Sequence, residues 1–238
     1  MSEYNQQNYI YWQSPYYAPN VESFIFKLDG RLFKKYNIYK DPKKVNLLDF
    51  GCGQGSHCKY FQDKIGFNVY GVDISKDSME VVKKKFPENP ENFKLIDHKP
   101  SKDDDFFKVK FDIIISTQVF FYLSDTDIQN RLLSLNSMLK EGGYVFFTMM
   151  SEKSWYHSWI INGNNKKSDG LLKAEHTQKF LNSRTKKTVN IHYLNLVKDK
   201  TDLKKKFHLF KPVEIGEYDL AYNENESEHS FLFFGKKR

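Results

Sequence analysis

The chain has 238 residues, 39% hydrophobic and 16% aromatic, enough for one sizeable buried core and incompatible with a wholly disordered chain. Its 37 Lys and Arg against 30 Asp and Glu leave a net charge of +7, which can serve nucleic acid, a membrane surface or anionic small substrates. No run approaches the ~18 apolar residues of a transmembrane helix, no charged segment leads into an apolar one at the N-terminus, and two cysteines make no disulfide framework; the expectation is one domain over 1–238 in the cytoplasm.

In chain order, residues 1–20 are rich in Tyr, Asn and Gln, with Pro15 and Pro19, and read as an irregular arm. Phe24, Leu28, Leu32 and Phe33 are spaced for a helix over Val21–Tyr36, so 1–36 forms an arm and helix. Alternation follows. Val45–Phe50 reads as a strand, and Gly51-Cys52-Gly53-Gln54-Gly55 as a turn. Ser56 is placed to cap a helix to Ile65. Asn68–Val72 is a second strand ending at Asp73. Ser75 or Asp77 opens a helix that Pro87 and Pro90 stop. Phe93–Ile96 is a weak third strand and Phe111–Ser116 a strong fourth. Ser124 caps a helix to Lys140, Gly142-Gly143 ends it, and Tyr144–Met149 is a fifth strand. Such a succession predicts an α/β fold with a mostly parallel sheet covered on both faces.

After Met150 the pattern changes. Leu171–Leu181 and Lys187–Leu196 read as two strands within a cap insertion, 151–196, over the ligand-binding end of the sheet. A helix opens at Asp199 or Thr201, runs through Phe210 and ends at Pro212. Val213–Leu220 and Ser230–Gly235 form a C-terminal antiparallel hairpin. Lys83–Lys85 and Lys204–Lys206 fall on amphipathic helices and read as solvated faces, and Asp103–Asp105 as a loop.

The chemistry concentrates in Leu47-Leu48-Asp49-Phe50-Gly51-Cys52-Gly53-Gln54-Gly55. Glycines let the backbone turn sharply out of a strand and approach a ligand, and the helix start behind them offers free N–H groups. A dinucleotide loop looks similar, but here an acid precedes the first glycine by two residues and the spacing is GxGxG. Asp73 lies 22 residues after Gly51, near the ~20 of a strand–helix–strand unit, where a carboxylate reaches ribose hydroxyls.

At these residues the chain resembles the class I S-adenosylmethionine-dependent methyltransferases. DFGCGQG is similar to that family's first motif and YGVDIS (Tyr70–Ser75) to its second, and the resemblance continues through FDIIISTQVFFYLSD to GGYVFFT. It implies a Rossmann-like sheet with S-adenosylmethionine as cofactor and S-adenosylhomocysteine as product. It places Asp49, Gly51, Gly53 and Gly55 around the methionine part, Asp73 on the ribose, Ile74 against adenine, Asp97 at the adenine amino group and Gln118 near the methyl end. The flanks, Trp12 with Glu22–Lys27 and Phe210–Pro212 with Tyr218, resemble a bacterial subgroup partly encoded with surface-polysaccharide genes, which implies a capsule-related acceptor.

The sulfonium activates the methyl group, so alignment supplies most of the rate, and a general base is needed only for a hydroxyl or protonated amine. His157 and His192 are the candidate bases, with His229 a third; surface or packing roles compete for each. His57 faces the cofactor carboxylate or solvent. Arg31 is a candidate partner for that carboxylate, or simply solvated. Tyr11, Trp12, Tyr16 and Tyr17 could close over the sulfonium. Ser116-Thr117-Gln118-Val119 is not an N/D-P-P-Y/F loop, which disfavours methylation of a base amino group, and no Cys/His cluster has metal spacing. The expected activity is methyl transfer to a small molecule, a hydroxyl of a sugar or phosphorylated metabolite, without nucleic-acid or membrane partners. An RNA or protein methyltransferase and a non-catalytic cofactor-binding protein are the alternatives.

Overall fold

A computed structural model describes residues 21–157, 168–179, 187–221 and 227–238, excluding the side chains of 174–179 and 187–192. The first helix, α1 (Ser23–Lys27), runs on as a π-helical turn over Leu28–Phe33. β1 (Asn46–Phe50) leads through the glycine loop to α2 (Ser56–Tyr60), itself extended by a π-helical turn over Phe61–Ile65. β2 (Asn68–Asp73), α3 (Lys76–Lys85), β3 (Phe93–Leu95), β4 (Phe111–Ser116), α4 (Asp125–Met138) and β5 (Leu139–Met150) complete the alternation. β6 (Leu172–Lys179) and β7 (Lys187–Leu194) pair only with each other, and α5 (Lys200–Lys206), β8 (Phe210–Ala221) and β9 (Ser227–Lys237) follow.

The main sheet has seven strands in the order β3-β2-β1-β4-β5-β9-β8. β3 to β5 are parallel, and β9 is antiparallel to both its neighbours. The order reverses between β1 and β4, which opens a crevice at their carboxyl ends, where open α/β sheets take their ligands. Strands buried on both faces carry unbroken apolar runs, as Ile113–Ile115 of β4 does. Leu48, Phe50, Ile114, Phe147 and Phe233 pack with Ile128, Leu132, Leu135 and Phe207 on one face. Leu47, Ile113, Ile115, Phe146 and Phe234 pack with Phe24, Ile25, Cys58, Phe61 and Val82 on the other.

Several local expectations change. The N-cap of α2 is Gly55, at φ 76°, and Ser56 is the first helical residue. Ser75 and Ser124 cap as expected, accepting from Ser78 N–H at 3.2 Å and Asp127 N–H at 3.1 Å. α4 ends at Met138, and β5 starts at Leu139, opposite Phe111, before an irregularity that Gly142 accommodates at φ 76°. α5 stops at Lys206, so Phe210 and Pro212 lie in β8, with Pro212 at a register shift that a residue without an N–H tolerates.

The residues that follow the β6–β7 hairpin are anchored beside the end of β4. Asn195 N–H donates to Phe121 O at 2.7 Å and its Nδ2 to Leu123 O at 3.1 Å. Ser151 bridges Val197, so the chain leaves β5 and returns at neighbouring points. Among the described residues, no helix is long and apolar enough to cross a membrane, and no group of His, Cys, Asp and Glu can hold a metal ion.

Candidate functional site

β1 carries Asp49 and Phe50 to the crevice, and the chain then turns under β2, with Gly51 and Cys52 N–H donating to Val72 O at 2.8 and 3.0 Å. Gly51 has φ 80°, and a Cβ there would stand 2.2 Å from Val119 Cγ2. Gly53, at φ 51°, has open space where its Cβ would be. The first glycine is therefore a packing requirement, and the second leaves bare backbone facing open space.

Asp73 ties this loop to the end of β2. Its Oδ2 accepts Gly53 N–H and its Oδ1 accepts Ser75 N–H, both at 2.8 Å. Burial raises its pKa and these backbone donors pull it back. Ile74 N–H is a third backbone donor that favours the carboxylate form. Lys85 Nζ donates to Gln54 O at 2.7 Å, so one member of the first lysine run braces the loop.

Beneath the loop, Asp49 is 1% exposed, and its Oδ1 has no partner among the described residues. Burial, then the charge of Asp73, pushes its pKa up to about 7, against a hydrogen bond from the Cys58 thiol to Oδ2 at 3.8 Å. His57 lies beside it, with its pKa pushed down to about 4 by burial. His57 Nε2 accepts Glu22 N–H at 3.4 Å, which leaves Nδ1 to carry the proton toward Thr117 Oγ1, also at 3.4 Å.

Across the crevice, Gln118 sits at φ 60°, rare for a residue with a Cβ. Its N–H donates to Thr148 Oγ1 at 2.8 Å, and its side-chain Nε2 donates to the Tyr218 hydroxyl. The Tyr218 ring packs on Phe24 at 5.0 Å between centroids, and its pKa is raised, first by burial and also by the nearby Glu228 and Glu22 carboxylates. Burial and then Glu228 raise the pKa of Glu22. Backbone strain of this kind persists where surrounding contacts over-determine it, commonly at functional sites.

Asp49, Gly51, Gly53, Gly55, Asp73 and Ile74 thus share one corner, with Gln118 facing them. Asp97 follows β3 at the edge of that corner, 72% exposed at its side chain, where its Oδ1 accepts Lys99 N–H at 2.8 Å. Arg31 is not brought in. α1 meets the site through Glu22, whereas Arg31 is exposed near Phe33, which packs on Phe61 and Phe67 at the opposite end of the strands. His157 is half-buried just past Ser154, whose O accepts its N–H at 2.9 Å. His229 is committed to packing: its ring nitrogens meet Ser151 Oγ at 2.7 Å and Glu217 Oε2 at 3.2 Å. The side chain of His192, and Tyr11, Trp12, Tyr16, Tyr17 and Trp159, lie outside the described residues. The sequence did not single out Glu22, Thr148 or Tyr218 for the site. No local motif marks them; the sheet order joins them.

The model of a family described as a methyltransferase domain matches residues 17–209. The ubiquinone biosynthesis O-methyltransferase of Pelagibacter ubique is 29% identical over 133 residues, 55% of this chain and 52% of that protein, so the chain spans about half the length of that relative. An uncharacterized methyltransferase of Alkaliphilus oremlandii is 24% identical over 81% of this chain and 90% of its own. Among solved structures, an S-adenosylmethionine-dependent methyltransferase from Clostridium acetobutylicum superposes with a TM-score of 0.61 at 18% identity, covering 99% of both chains. Magnesium protoporphyrin IX methyltransferase from Synechocystis, with bound S-adenosylhomocysteine, gives 0.60 at 14% identity over 99% of this chain and 96% of its own.

Proposed function

The chain belongs to the methyltransferase-domain family, and from that membership we propose that it transfers the methyl group of S-adenosylmethionine to a hydroxyl of a small-molecule acceptor. The corner between β1 and β2 suits the cofactor: an open cradle at Gly53, an orphaned buried oxygen on Asp49 and a carboxylate at the end of β2. Asp49, Gly51, Gly53 and Gly55 would hold the amino-acid part, Asp73 the ribose, Ile74 and Asp97 the adenine, and Gln118 the methyl end. The cofactor, when bound, supplies an electrophilic methyl group.

The observation that supports the reading is the contact of Gln118 with Tyr218, neutral hydrogen-bonding groups that would line the methyl end of a bound cofactor. Such groups orient a polar acceptor for in-line attack. Glu22, whose pKa burial raises, is suitably placed to take the proton of a hydroxyl; His157 and His192 are the other candidates, from the cap. The O-directed chemistry named for the Pelagibacter relative favours a hydroxyl acceptor. The relatives reported above bear on methyl transfer and not on capsule chemistry, so the sugar, phosphate and capsule parts of the expectation stay outside the proposal. A cytoplasmic location belongs to the same reading.

The test is S-adenosylhomocysteine formation with a panel of hydroxylated small molecules, total RNA and protein as acceptors. Turnover with the small molecules alone is expected. Methylation confined to RNA or protein would overturn the reading.

A further inference from the structure

Helix α4 turns an apolar row into the core, and a charge interrupts it. Arg131, among Ile128, Leu132, Leu135 and Met138, is 1% exposed. Its Nη1 donates to Asp104 Oδ2 at 2.7 Å. Its guanidinium carbon lies 4.8 Å from the centre of the Phe50 ring and 5.3 Å from that of Phe106. Those rings are stacked, with centroids 6.5 Å apart and planes at 17°. Ser134 Oγ adds a hydrogen bond to Asp104 O at 3.0 Å, and Arg131 Nε has no partner among the described residues.

A buried guanidinium with an unmet donor and a partly exposed partner is a poor device for stability alone, because an unbranched apolar side chain such as methionine would fill a helix face as well or better. Its value lies in what it joins. Phe50 is the last residue of β1 and precedes Gly51, the first of the glycine loop. Asp104 and Phe106 belong to the segment between β3 and β4, which passes Asp97 and begins where Ile96 N–H donates to Asp73 O at 3.0 Å. The guanidinium touches both walls, against two rings that also stack on each other. One N–H holds the carboxylate while the flat guanidinium meets two rings, which an ammonium cannot reproduce.

We propose that Arg131 is a positioning residue that clamps the 97–106 segment to the end of β1 and so sets the width of the slot for the adenosine half of the cofactor. This rests on the cofactor reading above. Supporting groups of this kind hold a site to fractions of an ångström without touching the ligand.

Binding of S-adenosylhomocysteine and of 5′-methylthioadenosine, which keeps the adenosine but lacks the amino acid, tests it by calorimetry on the full chain, well below the melting temperature. Arg131→Lys is expected to weaken both ligands by the same factor, roughly tenfold. The double substitution Arg131→Leu with Asp104→Ala, which removes both partners of the pair, is expected to stay close to the wild-type melting temperature and still lose affinity, which a merely structural role would not produce. Unchanged affinity in a folded Arg131→Lys protein would overturn the proposal. If neither variant folds, Asp104→Asn decides: a shared loss for the two ligands supports the clamp, and wild-type affinity overturns it. Failure of the wild-type chain to bind S-adenosylhomocysteine at all would instead bring down the cofactor reading.

Discussion

His57 Nδ1 stands 3.9 Å from Asp49 Oδ2, yet burial drives the two groups away from an ion pair. The carboxyl is pushed up to about 7 and the imidazole down to about 4, so between those values both are neutral. Their effects on stability have opposite signs. Asp49, raised from 3.8, binds its proton more tightly in the folded chain, so its contribution falls as pH rises from 3.8 to about 7. His57, lowered from 6.5, is protonated more readily in the unfolded chain, so its contribution rises with pH from about 4 to 6.5. The two slopes offset each other across the shared window. Asp49→Asn should leave a stability that rises with pH there relative to wild type, and His57→Gln one that falls. Chemical denaturation without cofactor measures this; variant profiles parallel to wild type would remove the coupling.

Asp73→Ala should weaken S-adenosylhomocysteine by more than tenfold. Two hydrogen bonds from ribose to a charged acceptor are lost, each worth about 1.5–3 kcal/mol. The glycine loop also loses the brace between Asp73 and Gly53 N–H, so hydrogen exchange at Gly53 should quicken in the same variant. Unchanged affinity by calorimetric titration would remove Asp73 from the ribose site.

The glycines separate packing from binding. Gly51→Ala puts a Cβ within 2.2 Å of Val119 and should lower the melting temperature sharply. Gly53→Ala meets open space and costs only the left-handed backbone penalty, about 1–2 kcal/mol, while placing a methyl group in the cofactor cradle. It should lose cofactor affinity out of proportion to stability. Full affinity in Gly53→Ala would show that the cradle lies elsewhere.

We expect segment 151–196 to act as a cap, with Trp155, Tyr156 and His157 turned toward the acceptor. His157→Ala should then lower methyl transfer while cofactor affinity and melting temperature stay near wild type. A large drop in melting temperature would assign His157 to packing instead.

The strand–turn–helix units that form the candidate corner were legible because they are local. Asp49 to Gly55 and Tyr70 to Ser75 are contiguous stretches whose glycine spacing and strand context declare a turn, and Asp73 ends the second strand as expected. The helix caps Ser75 and Ser124 were legible for the same reason, since a cap satisfies N–H groups two or three residues away. Element ends were harder. Gly142-Gly143 signals a helix stop, but β5 reaches back to Leu139 because Phe111 offers it a partner. Pro212 signals a break, but an irregular register lets β8 pass through it.

The resemblance placed Gln118 near the methyl end, but the partner it meets there was not legible. Gln118 and Tyr218 are 100 residues apart, and their meeting depends on β9 pairing antiparallel with β5 and carrying β8 beside it. Arg131 carries no local signal, because the carboxylate it meets, Asp104, lies on a segment remote from its helix. Hydrophobic periodicity states which face of an element is buried, not which neighbour buries it. The sequence by itself determined the strand–loop–helix units and the cofactor loop, whose interactions lie within a few residues. Only the tertiary structure decided the strand order, the wall facing the methyl end and the buried charge behind the adenosine slot, because those contacts join segments that no local pattern relates.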